Sequence, residues 1–222
     1  PTGHEYFRTY RMMQLLAGSL AKLGYYCMRF DYHGMGDSSG EFNQMDLSHW
    51  QADLHTACEE LRAASACEEV LCIGSRLSAP LALSAQPSCY FSEFIFIDPI
   101  MNGQSHLTKL KQVQTSVLSK IWHFTIKRRQ TELKEGEILG YDYSELLLNG
   151  INALSTQHLL AATNTPVKLL WSEKESVSEV LDCTDKVSSV VIEDEGNWYF
   201  YKDIDRSIST HKINQYIIES LS

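Results

Sequence analysis

The sequence predicts an α/β fold in which a mainly parallel, doubly wound sheet is interrupted by a helical insertion. Three observations carry this. Short apolar strands alternate with amphipathic helices toward both ends of the chain, the middle shows helical periods only, and one strand passes through an abrupt small-residue turn into a helix.

Met12, Leu15, Leu16, Leu20 and Leu23 recur at helical spacing and predict a helix over 10–23, closed by Gly24. The run 25–30, bounded by turn residues, reads as a strand, and 31–40 as a glycine-rich loop in which Asp31 and Asp37 serve the turn. A helix over 47–63 follows, then a buried-type strand at 70–73, the turn 74–78, a small-residue helix at 79–85 and a strand at 94–97 ended by Asp98-Pro99. Strand and helix in this alternation build a parallel sheet covered on both faces. From 101 to 163 no strand is expected; Leu107, Leu110, Val113, Val117, Leu118 and Ile121 make one stripe, and a second helix is read over 144–154. Strands at 166–171 and 187–192 and a final helix at 208–221 resume the pattern. The expected division is a core over 1–101, a helical cap over 102–163 and the rest of the core over 164–222.

With 222 residues and 44% hydrophobic composition the chain is large enough to bury a core. A formal charge of −9 argues against nucleic-acid binding, which needs a basic face; the short cluster Lys127-Arg128-Arg129 reads as solvated surface. No apolar run approaches the roughly 18 residues of a membrane span. No signal peptide is read at Pro1–Glu5. The six cysteines show no metal spacing and are read as reduced, so the expected location is cytoplasmic. Neither a metal nor a cofactor is expected, because the histidines are dispersed and the Gly34/Gly36 loop lacks the third glycine of a dinucleotide fingerprint.

The turn Gly74-Ser75-Arg76-Leu77-Ser78 has the layout of a nucleophile elbow, with small residues two before and two after its tip. The preceding strand fixes the register and puts Arg76 at the tip; making Ser75 the tip would leave Ile73 where the glycine belongs.

Together with Gly3-His4-Glu5-Tyr6-Phe7-Arg8 and Arg29-Phe30-Asp31-Tyr32-His33-Gly34-Met35-Gly36-Asp37-Ser38, this turn resembles the α/β-hydrolase superfamily, and within it serine-aminopeptidase-like and exosortase-associated hydrolases. Glu137–Tyr141 is similar to a cap segment of these proteins. The resemblance implies an α/β-hydrolase fold with a helical cap. It also implies two or three strands ahead of the loop at Gly3, where this sequence opens; a shortened polypeptide and a partner chain that completes the sheet edge are both open.

The resemblance further implies a serine, an acid and a histidine in that chain order. Arg76 stands at the serine position, Glu175 is the nearest match to the acid, and Asn197, in the loop Gly196-Asn197-Trp198, stands at the histidine position. His211 falls in the last helix. Loss of the serine or the histidine of a triad lowers kcat by on the order of 10⁶, and arginine stays protonated and is no nucleophile. Ser75 and Ser78 flank the tip without a visible base.

Two readings of Arg76 follow. In one it joins Gly3, His4, Glu5, Leu77 and Trp198 in binding a small acyl or anionic ligand; in the other it pairs internally with Glu5. The leading expectation is a non-canonical family member with a degenerate triad that binds such a ligand. The alternatives are an active esterase, thioesterase or peptidase with a displaced nucleophile, and a scaffold subunit.

Overall fold

In the computed structural model, residues 1–86, 89–124, 136–173, 185–194, 196–199, 208 and 211–222 are described. The helices are α1 (His4–Lys22), α2 (Leu47–Ser65), α3 (Ser78–Ser84), α4 (Gly103–Phe124), α5 (Glu145–Ala153), α6 (Thr156–Ala162) and α7 (His211–Ser220). The strands are β1 (Leu71–Ser75), β2 (Glu93–Ile97), β3 (Glu137–Ile138), β4 (Tyr141–Asp142), β5 (Val167–Trp171) and β6 (Val187–Val191).

The central sheet has the order β1-β2-β5-β6, and every pairing is parallel. Its side chains alternate between two layers as strand geometry demands. Ile95, Ile97 and Leu170 pack with Met12, Leu16 and Leu20 of α1 and Ile213 and Ile217 of α7. Phe94, Phe96, Val167, Leu169 and Trp171 face the other way, against Leu54 and Cys58 of α2, Ala79 and Ala82 of α3, and Leu160 of α6. The doubly covered parallel sheet predicted from sequence is the one found. Asp46 starts α2 by accepting from the Ser48 and His49 amides at 2.8 and 3.0 Å.

Over the C-terminal end of the sheet, α4 and α5 form a second packed layer. Leu107 and Leu110 of α4 and Leu147 and Ile151 of α5 join Trp50, Leu77, Leu81 and Ile100 in one cluster. Leu107, Leu110 and Val113 of the predicted stripe are buried, whereas Val117 and Leu118 are only partly so.

Three expectations need correcting. The first helix begins at His4, six residues before the predicted start, because the turn of chain carrying Glu5, Arg8 and Thr9 is itself buried and helical. The insertion is not purely helical: β3 and β4 form an antiparallel hairpin whose tight turn places Leu139 and Gly140 at φ +52 and +83. Finally, residues 25–30 form no strand. A strand needs a ladder partner, and an open channel separates this segment from β1. Two cavities of about 220 and 290 Å³ lie along it, between residues 25–32 and 70–74. Tyr25, Tyr26, Met28 and Phe30 accordingly remain 38–65% exposed.

Candidate functional site

The site is built around the turn between β1 and α3. Arg76 sits there at φ +57, the left-handed region, which costs a non-glycine residue about 1–2 kcal/mol. Backbone bonds hold it in place: its N–H donates to the Ile97 carbonyl at 3.1 Å, and its carbonyl accepts from the amides of Ala79 and Ile100, both at 3.3 Å. A Cβ on Gly74 would come within 2.8 Å of Ser78 Cβ, so the chain can cross itself here only with glycine two residues before the tip. This is the elbow geometry the sequence predicted, with Arg76 at its tip.

The guanidinium turns inward. Nε donates to Glu5 Oε1 at 2.9 Å, Nη1 to the Asp98 carbonyl at 3.1 Å and Nη2 to the Tyr199 hydroxyl at 2.5 Å. Its carbon lies 4.7 Å from the Trp198 ring centroid and 4.9 Å from that of Tyr199, in range for cation–π attraction. Both charges are buried, Arg76 at 5% and Glu5 at 1% exposure. Burial alone would push the Glu5 carboxyl up, but the Arg76 charge, helped by His106 and His4, holds it well below the ordinary carboxylate range. Burial would likewise lower Arg76, and Glu5 raises it instead, so the pair stays ionised. Of the two readings open from sequence, internal pairing with Glu5 is the one found.

Further polar contacts surround this pair. His106 Nδ1 is 2.8 Å from the Tyr199 hydroxyl, bringing α4 into the site. Burial pushes the His106 imidazole down; Glu5 opposes this, while Arg76 and the smaller effects of His4 and the terminal amine add to it, leaving the group at about 3 and neutral at ordinary pH. At the end of β2, Asp98 also adopts a positive φ, +43. Its buried carboxylate accepts from the Ser172 amide at 2.8 Å, the Ser172 hydroxyl at 2.7 Å and the Trp198 indole N–H at 2.8 Å. A side chain at Gly196 would collide with Ser172, so the loop passes here only as glycine. From α1, Arg8 ties the same loop down, donating to the carbonyls of Trp198 at 3.0 Å and Asn197 at 2.8 Å.

Arg76, Ile100, His106, Lys109, Trp171 and Trp198 are among the walls of an adjoining cleft of about 470 Å³. Lys109 Nζ stands 5.3 Å from the Tyr199 ring and forms no ion pair with a described carboxylate.

Of the residues singled out from sequence, the structure brings Glu5, Arg76 and Trp198 together. Gly3 takes φ +55 ahead of α1, His4 is buried with its imidazole pushed down, first by burial, and Leu77 is buried at 1% exposure. None of these three lines the cleft, whereas Asn197 does, its carbonyl bound to Arg8. Glu175, the expected acid, lies outside the described residues, as do Lys127-Arg128-Arg129 and Cys183. Among the described residues no cluster of metal-ligating side chains occurs, and no helix is long and apolar enough to cross a membrane. Sequence reasoning missed Arg8, Asp98, His106 and Ser172 as site residues. Arg8 carried a signal as the last residue of the Gly3–Arg8 motif, and Asp98 as an Asp-Pro closing a strand, since aspartate tolerates positive φ better than most residues.

Comparison with known proteins agrees with this fold. No curated protein sequence matches the chain. Among solved structures, Est1E from Butyrivibrio proteoclasticus, determined with ferulic acid bound, is similar at a TM-score of 0.60 and 12% identity, covering 93% of this chain and 78% of that one. VinJ gives a TM-score of 0.60 at 12% identity over 94% of this chain and 86% of its own. A putative hydrolase from Agrobacterium vitis S4 gives 0.55 at 20% identity over 97% and 82%. At these identities the likeness speaks for the fold. The serine aminopeptidase S33 hydrolase family matches residues 3–164, most of the chain, and with the parallel sheet and the elbow between β1 and α3 this chain belongs to that α/β-hydrolase family.

Proposed function

We propose that this protein is a non-canonical member of its family, which does no conventional serine hydrolysis and binds a small acyl or anionic molecule in the cleft beside Arg76. One observation carries the reading: the elbow tip is a guanidinium whose three nitrogens each donate within the protein, to Glu5, the Asp98 carbonyl and Tyr199. A protonated group so held can neither attack a carbonyl nor accept a proton. The ring in the neighbouring loop is the Trp198 indole, which donates a proton but accepts none.

The cleft supports the binding half of the reading. Ile100, Met101 and Trp171 offer apolar wall, and the Lys109 ammonium stands at its edge. Because Glu5 neutralises Arg76, attraction for an anion falls to Lys109, while Arg76 shapes the wall.

The test is fluorophosphonate labelling mapped by mass spectrometry, run beside an ester and thioester hydrolysis screen and NMR titration with butyrate. No labelled serine, no turnover and butyrate shifts at Trp198 and Lys109 are expected. A specifically labelled serine with turnover would sink the reading and name the displaced nucleophile; absence of butyrate shifts would remove its binding half.

A further inference from the structure

In a nucleophile–base–acid constellation the acid accepts the ring N–H and thereby sets the ring against the tip. The same order of contacts runs through this site with every member's chemistry changed. The Asp98 carboxylate accepts the Trp198 indole N–H at 2.8 Å, and the Trp198 ring lies against the Arg76 guanidinium at 4.7 Å. Asp98 is 3% exposed, and burying a carboxylate is costly unless its hydrogen bonds are met. Here they are met by three donors, two from Ser172 and one from the indole. Arg8 fixes the backbone on which the indole stands. The ring is therefore oriented by a charged group on its edge and a cation on its face, more than packing an indole requires.

We propose that Asp98, at the end of β2, is the orienting acid of this elbow, with Trp198 in the place of the ring and Arg76 in that of the tip. The acid position is thereby assigned to Asp98. This deepens the reading above by assigning the residue that positions Trp198 as a wall of the cleft. Imidazole and indole attach through equivalent ring carbons, so the imidazole of a Trp198→His variant can set Nε2 where the indole nitrogen stands. Asp98 would then orient that imidazole and raise its proton affinity.

The experiment is an NMR titration of the introduced imidazole in Trp198→His and in Trp198→His/Asp98→Asn, with folding checked by circular dichroism. Arg76 faces the ring from the elbow and Arg8 its backbone from α1; both are present in each variant, so their effects cancel in the comparison. Proton affinity is expected to fall at least tenfold when Asp98 becomes asparagine, within the range for losing an adjacent carboxylate. Equal titration in the two folded variants overturns the proposal. Should Trp198→His fail to fold, exchange of the Trp198 indole hydrogen is compared in the native chain and Asp98→Leu. At least tenfold faster exchange in the variant supports the assignment, and unchanged exchange overturns it. A labelled serine in the native chain would sink the proposed function and leave these measurements standing, so the two failures are distinguishable.

Discussion

Arg76 Nε and Glu5 Oε1 meet at 2.9 Å across 71 positions of sequence, and neither side chain is more than 6% exposed. A buried pair of this kind matters most when half of it is removed. Arg76→Ala is expected to destabilise the fold by about 3–5 kcal/mol, because it strands Glu5 without its cation. The double variant Glu5→Leu/Arg76→Met should recover most of that loss, since apolar groups of similar volume can replace a buried pair. Urea unfolding of the native chain and both variants decides it. Equal losses in both would mean the charges themselves are not what Arg76 contributes.

His106 gives the pH dependence. Its folded-state pKa, lowered mainly by burial to about 3, lies beneath the unfolded value of about 6.5. Between these values the unfolded chain holds the extra proton, so stability is full above the unfolded pKa and falls as pH drops toward the folded one. Glu5 is depressed in the same sense and adds to the loss below its unfolded pKa of about 4.3. The slope between pH 6 and 5 should approach 1.4 kcal/mol per pH unit for His106 alone. His106→Asn should reduce it in denaturant titrations at several pH values, leaving the share of His4, whose imidazole burial also pushes down; an unchanged slope would assign the whole effect elsewhere.

Gly74→Ala tests the elbow. The added methyl would sit 2.8 Å from Ser78 Cβ, and overpacking of this kind costs about 1–3 kcal/mol. Combining it with Ser78→Gly should return part of the stability by removing the opposing atom. Thermal melts of the single and double variants would show whether that contact is the cause.

At the start of α2, Asp46→Ala removes a cap that serves two amides. A loss of about 1 kcal/mol is expected, with no change in cleft binding. Urea unfolding and butyrate titration of the same variant check both parts.

Much of the architecture was legible because periodicity reports burial. The four strands of the sheet, the positions of α2 and α7 and the buried stripes of α1 and α4 follow from it, and Gly74 with Ser78 marked the elbow. Residues 25–30 failed for the complementary reason: a strand exists only with a ladder partner, and composition does not reveal whether one is adjacent. The hairpin at 137–142 was too short to show a period. Within the site, Glu5 and Arg76 could be paired in advance because motifs located both. Asp98, His106 and Ser172 could not, since each acts through a neighbour that folding alone supplies: Trp198 lies 100 positions from Asp98, and Tyr199 lies 93 from His106.

Those separations bear on assembly. Arg8 reaches carbonyls 189 and 190 positions away, and the cleft draws its walls from the turn after β1, the segment after β2, α4, the end of β5 and the loop at 196–199. No short stretch of nascent chain can form this cleft, which comes into being only after the segments around Arg8 and Trp198 have met. Occupancy and global folding are therefore thermodynamically linked. A genuine occupant should raise the melting temperature by an amount that grows with the logarithm of its concentration over Kd, so a thermal-shift screen can search for it without any assumption about chemistry.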